Sequence, residues 1–178
     1  TNLTDEEKSK LANDANSAAN DAKDKIQSAT TNDGATKAGQ DGKTAIEGVT
    51  VPTDSDVKKN ANSDLDKTAA AAKKAIDETS GLTADQKQTA KNQIDQAVTD
   101  AQENIKKASD NQGVADAKDA GKLAIDKVSA KAAIDDDLAK KIEEIKANTN
   151  LTAEEKAKLT TDANSAANDA KDKIQSAT

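Results

Sequence analysis

Apolar side chains recur along the first thirty residues at Leu11, Ala15, Ala18, Ala22, Ile26 and Ala29, spaced 4, 3, 4, 4 and 3 residues apart. That spacing paints one face of an α-helix and leaves the other faces to Lys, Asp, Asn and Ser. The same stripe returns at Ala90, Ile94, Ala97, Ala101, Ile105 and Ala108, and again at Leu159, Ala163, Ala166, Ala170, Ile174 and Ala177. Each copy starts with the same device. Thr4 with Glu7, Thr83 with Gln86 and Thr152 with Glu155 are capping boxes, in which the Thr and the residue three places on satisfy each other's free amides. A second helical pattern follows the turn Thr31–Gly34, through Ala38, Gly42, Ala45, Ile46 and Val49. It is matched after the turn Asp110–Gly113 by Ala117, Gly121, Ala124, Ile125 and Val128. Glycine inside a helix costs about 1 kcal/mol relative to alanine, so its recurrence on the apolar face has two readings, close approach of two helices or common ancestry of the copies alone. A third helix carries Val57, Ala61, Leu65, Ala69, Ala72 and Ile76, with Thr53 after Pro52 as its expected cap and Gly81 as its expected C′ residue. Its shorter counterpart carries Ile134, Leu138, Ile142 and Ile145. A break near Ser129–Lys131 is expected to precede that counterpart, although no Gly or Pro marks it.

These patterns are copies of one another. Residues 1–30 and 149–178 differ only at Asp5/Ala153, Ser9/Ala157, Ala12/Thr160 and Asn13/Thr161. The copy from Leu82 follows that from Leu3 by 79 positions, and the copy from Leu151 follows Leu82 by 69. The first unit thus carries ten extra residues, between Val49 and Leu65. The fold expected is all-α, an elongated tandem of three-helix bundles: a long repeat over 1–79, a short repeat over 80–148, and the first helix of a third over 149–178. Which three helices make one bundle stays open at this level. An odd number of helices lets the chain enter a unit at one end and leave at the other, so copies extend into a rod.

Composition tempers the packing. Leu, Ile and Val number 24 of 178 residues, and the net charge is −7, values at which disorder competes with folding. Abundant Ala and the sustained helical period favour the fold. Every basic residue is Lys, and an acidic chain without Arg lacks the basic patch that phosphate contacts need. No run approaches the length of a membrane span. Without Cys or His there is no thiolate or imidazole ligand set. Trp, Tyr and Arg, the residues that dominate binding hot spots, are also missing.

Ala75-Ile76-Asp77, Leu82-Thr83, Gln86-Lys87, Ile105-Lys106-Lys107-Ala108 and Gly121-Lys122-Leu123-Ala124-Ile125 together resemble a tandem repeat of unknown function from giant Gram-positive cell-wall-anchored proteins, of the extracellular-matrix-binding-protein-homologue type. The resemblance touches nearly the whole chain. It implies a helical stalk repeat on a bacterial surface and carries no catalytic or ligand-binding residues with it.

The residues that could hint at chemistry have simpler readings. Asp135-Asp136-Asp137 lacks the alternating ligands and turn glycine of a calcium loop and reads as a solvated helix start. Asp54 and Asp56 suit the positive end of a helix dipole. Lys73-Lys74 and Lys106-Lys107 are expected to pair with carboxylates at helical spacing. Ser63 and Lys67 have no oxyanion donors around them to make a nucleophile. Asn2-Leu3-Thr4 and Asn150-Leu151-Thr152 match a glycosylation sequon but are helix starts.

No catalytic, cofactor-binding or metal residue is assigned, no cofactor is expected, and the chain is not expected to be an enzyme. The expected role is a structural spacer of a bacterial cell-surface protein, extracellular and cell-wall anchored within a larger chain. The alternative is a weak multivalent adhesive module for host matrix or cell wall. Expected partners are the neighbouring repeats of the same chain, with no nucleic acid and no membrane insertion, and the fragment is expected to be a monomer.

Overall fold

The computed structural model describes residues 2–177 as six helices: α1 (Asp5–Ser28), α2 (Asn32–Glu47), α3 (Asp56–Glu78), α4 (Ala84–Lys107), α5 (Asn111–Ala147) and α6 (Ala153–Ser176). The described residues contain no strand. All three capping boxes form as the sequence indicates, at Thr4, Thr83 and Thr152.

The mutually packed trio is α3, α4 and the first half of α5. Leu65 and Ile76 of α3, Ile94 and Ile105 of α4, and Val114 and Ile125 of α5 are all almost fully shielded from water. Grouping α1, α2 and α3 as one bundle is therefore not how the chain packs. α1 and α2 form a hairpin of their own, and α6 lies along α5. The consequence appears at equivalent positions. Ile105, between two partner helices, is 0% exposed, whereas Ile26, with one partner, is 42% exposed.

Both interior glycines mark close contacts. A Cβ on Gly121 would lie 2.4 Å from the Ala101 Cβ and 2.9 Å from a Leu65 methyl. A Cβ on Gly42 would lie 2.2 Å from the Ala22 Cβ. Ala22 and Ala101 are themselves equivalent, so the hairpin α1–α2 repeats the α4–α5 contact residue for residue.

Three expectations are corrected. The expected break near Ser129–Lys131 is absent, and α5 runs on for 37 residues. With no Gly or Pro there, and with Ala132 buried in the same core as Leu82 and Ala90, nothing interrupts the backbone ladder. The cap of α3 is Ser55 rather than Thr53, its hydroxyl accepting from the Lys58 amide at 3.1 Å. Gly81 is not a left-handed C′ residue, for no glycine among the described residues has positive φ. Its place is dictated by space, since a Cβ there would meet the Asp136 carbonyl oxygen at 2.6 Å.

The molecule is thin. Its accessible surface is 11289 Å², against about 8,200 Å² for a compact monomer of 18.4 kDa.

Candidate functional site: the joint between repeats

The densest polar constellation lies where the start of α1 meets the near end of the α3–α4–α5 bundle. A helix start leaves free amides and a helix end leaves free carbonyls, and here three helix starts and one helix end converge. The Glu7 carboxylate serves two of the starts. It accepts from the Thr4 amide at 2.9 Å within its own capping box, and its other oxygen accepts from the amides of Asp56 and Val57 at 3.0 and 3.3 Å, at the start of α3. The Asp5 amide donates to the Ser109 carbonyl at 2.8 Å, and the Asn111 amide donates to Glu6 at 3.0 Å. Thr4, fully buried, donates its hydroxyl to Asn111 Oδ1 at 2.8 Å.

Lys58 supplies the cation. Its side chain is buried, and its ammonium donates to the Lys106 carbonyl at 3.0 Å and to Asn2 Oδ1 at 3.4 Å. A positive charge on the carbonyl end of α4 suits the helix dipole. Leu3 closes the joint from the apolar side, 4% exposed.

Burial alone would raise the Glu7 carboxyl. The bonds from the Thr4 amide, the Ser55 hydroxyl and the Val57 and Asp56 amides outweigh it, so Glu7 sits below the ordinary value of 4.5. Glu155, its counterpart, is also held low, by the amide and hydroxyl of Thr152, but it has no second helix to cap. The middle copy carries the neutral Gln86 in the same box.

A second clasp lies at the far end of the bundle, where Asp136 of α5 accepts from the Gly81 amide and, at 2.7 Å, from Lys140. The Lys140 hydrogen bond leads in holding Asp136 low, burial opposes it, and the Gly81 amide, the Lys140 charge and the Ser80 amide add to it.

The structure disperses the residues that hinted at chemistry. Asp135, Asp136 and Asp137 sit in mid-helix, not at a solvated helix start. Asp135 pairs with Lys171 of α6 at 2.8 Å, Asp136 is buried on the Gly81 loop, and Asp137 faces water. Among the described residues no group of three acidic side chains is placed to hold a metal ion. Asp56 lies in the first turn of α3 and Asp54 lies before its cap. Lys74 pairs with Glu78 and Lys107 with Glu103 at helical spacing, while Lys73 reaches across to Asp95 of α4. Lys67 pairs with Asp64 at 3.6 Å and Ser63 is exposed. Thr31 caps α2 by accepting from the Gly34 amide at 3.1 Å. No helix among the described residues is long and apolar enough to cross a membrane.

The joint itself was only half visible beforehand. The capping box picks out Glu7, but nothing in the local sequence signals its second task at α3, or the buried ammonium of Lys58. Both depend on which helix ends meet in space.

Recurring helices, equivalent glycine contacts and helix ends that cap one another define a tandem helical-repeat protein. The profile of the family described as Domain of Unknown Function (DUF1542) matches residues 1–54, 57–130 and 126–178, and the chain belongs to that family. The middle match spans α3, α4 and the first half of α5, the trio that packs together. No curated protein and no solved structure matches the chain.

Proposed function

We propose that this chain is a non-enzymatic spacer, a run of stalk repeats from a bacterial cell-surface protein anchored in the cell wall, holding a distal domain away from that wall. The observation that carries the reading is the joint. Successive units meet through helix ends, with Glu7, Thr4 and Lys58 satisfying groups on both sides. Contact between ends adds length with each copy, as a spacer requires. The resemblance to repeats of giant wall-anchored proteins supports the location. The alternative adhesive role draws on the half-exposed face of the α1–α2 hairpin, from which weak contacts could add up along an array.

The test is to build polymers of one, two and four copies of the chain and measure their length by small-angle scattering. A spacer lengthens in proportion to copy number. Saturation of the maximum dimension after two copies would refute it. A parallel binding panel of matrix proteins and peptidoglycan separates the adhesive role, which requires affinity that rises steeply with copy number.

A further inference from the structure

A second joint repeats the first at a distance of 69 positions along the chain. Lys58 donates to the Lys106 carbonyl at 3.0 Å, and Lys127 donates to the Gln175 carbonyl at 3.1 Å. Asp66 accepts from Gln102 at 3.1 Å, and Asp135 accepts from Lys171 at 2.8 Å. Lys87 donates to the Asp77 carbonyl at 2.8 Å, and Lys156 donates to the Lys146 carbonyl at 2.9 Å. In every case the second pair is the first shifted by 69. The second half of α5 thus meets α6 as α3 meets α4.

The two joints differ in the chain that enters them. Lys127 stands in the middle of α5, which runs unbroken from Asn111 to Ala147. Lys58 stands in the first turn of α3, and residues 48–55, outside any helix, connect it to α2. That connection contains Pro52, and its Val51 is 59% exposed. A fresh helix start leaves amides without partners, and Glu7 takes those of Asp56 and Val57 at 3.0 and 3.3 Å. Their equivalents, Ile125 and Asp126, lie inside α5, where the helix ladder satisfies them. The α4 residue equivalent to Glu7 is the neutral Gln86.

We infer that this chain has one hinge and one lock: the segment 48–55 lets the α1–α2 hairpin swing against the α3–α4–α5 bundle, with Glu7 as the latch of the closed position, while the unbroken α5 fixes the joint at Lys127. Reorienting the helices at Lys127 means breaking the backbone ladder of a helix. Reorienting those at the start of α3 releases a few bonds only: Glu7 from α3, Thr4 and Glu6 from Asn111, Asn2 from Lys58, and the Asp5 amide from the Ser109 carbonyl. Hinges are short connecting segments of this kind, whose φ and ψ absorb the motion. Opening brings water to Leu3 and Thr4, which are 4% and 0% exposed when closed, so the closed position dominates and the open one is a minority. Both connections lie well inside the sequence, and the hinge needs no uncovered face. It holds equally for a spacer and for an adhesive module.

The chain has no Cys, so spin labels attach only where a cysteine is introduced. Lys37→Cys with Lys74→Cys spans the hinge, and Asp116→Cys with Glu143→Cys, the equivalent exposed positions, spans the lock. Double electron–electron resonance on the full chain reads the two separations, with circular dichroism to confirm that each variant is folded. The 116–143 distribution should be narrow and centred at about 40 Å, the length of the intervening helix. The 37–74 distribution should be wider. Glu7→Gln should raise its open share by about fivefold and leave the 116–143 distribution unchanged. Equal widths for the two pairs would overturn the inference, and so would a 37–74 distribution that Glu7→Gln leaves as it was.

Discussion

Glu7, Gln86 and Glu155 hold one position in three copies, and their surroundings separate them. Gln86 shows that a neutral amide can complete the capping box. Only Glu7 must also accept from the amides of α3, and an amide side chain has one acceptor oxygen where a carboxylate has two. Glu7→Gln should keep α1 helical and loosen the joint by about 1 kcal/mol, seen as faster hydrogen exchange at the Asp56 and Val57 amides. Acid should act alike. Because the folded value of Glu7 lies below 4.5, its contribution is complete above that pH and is lost as the pH falls through the lower folded value. The protection of those amides, relative to their intrinsic exchange at each pH, should fall there in the wild type and stay flat in Glu7→Gln. Ile26 and Ile105 make the same point for packing. Ile105→Asp buries an unpaired carboxylate and should cost several kcal/mol, enough to unfold the bundle in a thermal melt. Ile26→Asp, on a half-exposed face, should cost about 1 kcal/mol or less. The sequence places both on the inward stripe, and the register is right. What the stripe cannot say is how many helices cover it.

At the scale of elements, most local signals held where the cause was local. The exceptions are the α3 cap, which moves from Thr53 to Ser55, and Gly81, which is not a left-handed C′ residue. The Thr caps, the helical period and the glycine contacts are legible because each depends on neighbours a few residues away or on one facing helix. The connection between the second and third helices of a unit is legible in one copy only. Gly48, Pro52 and the ten extra residues end α2 and start α3 afresh, whereas Ser129–Ile134 offers the helix no reason to stop. α5 therefore extends about 55 Å and supplies a helix to the complete bundle and another to the α6 layer. Ser129→Pro should break it, at a cost of about 3 kcal/mol or more, and should release α6 while α3, α4 and the first half of α5 remain packed. Loss of exchange protection confined to residues 134–176 would show this. Gly121→Ala tests the other feature. The intrinsic helix gain of about 1 kcal/mol opposes overpacking against Ala101 and Leu65 of about 1–3 kcal/mol, and the close distances argue that overpacking wins. Gly42→Ala should do less harm, since Ala22 belongs to a hairpin with no third helix behind it to prevent adjustment.

The whole molecule has more surface than its mass warrants, and its cross-section is only two or three helices. A compact chain of this length has a radius of gyration of about 16 Å. Small-angle scattering should return a distinctly larger value, and a value near 16 Å would mean that the hairpin and the α6 layer fold back on the bundle. Grouping by sequence repeat and grouping by contact disagree at this scale. A repeat can be cut anywhere in its period, but a hydrophobic core cannot, and the trio α3–α4–α5 straddles the boundary drawn at residue 79.

The shared helix also decides how the molecule comes apart. The bundle and the α6 layer own the two halves of α5, so strain or heat that frays one half withdraws support from the other, and the two should lose structure in succession along a common spine. The α1–α2 hairpin has no such tie. It is held by a handful of hydrogen bonds around Glu7 and Lys58 and by the burial of Leu3, and it can let go while everything from Asp56 onward stays intact. Pulled at its two ends, this chain should open first at the Glu7–Lys58 joint and only later lose the α3–α4–α5 bundle, which makes the joint a mechanical fuse for the bundle.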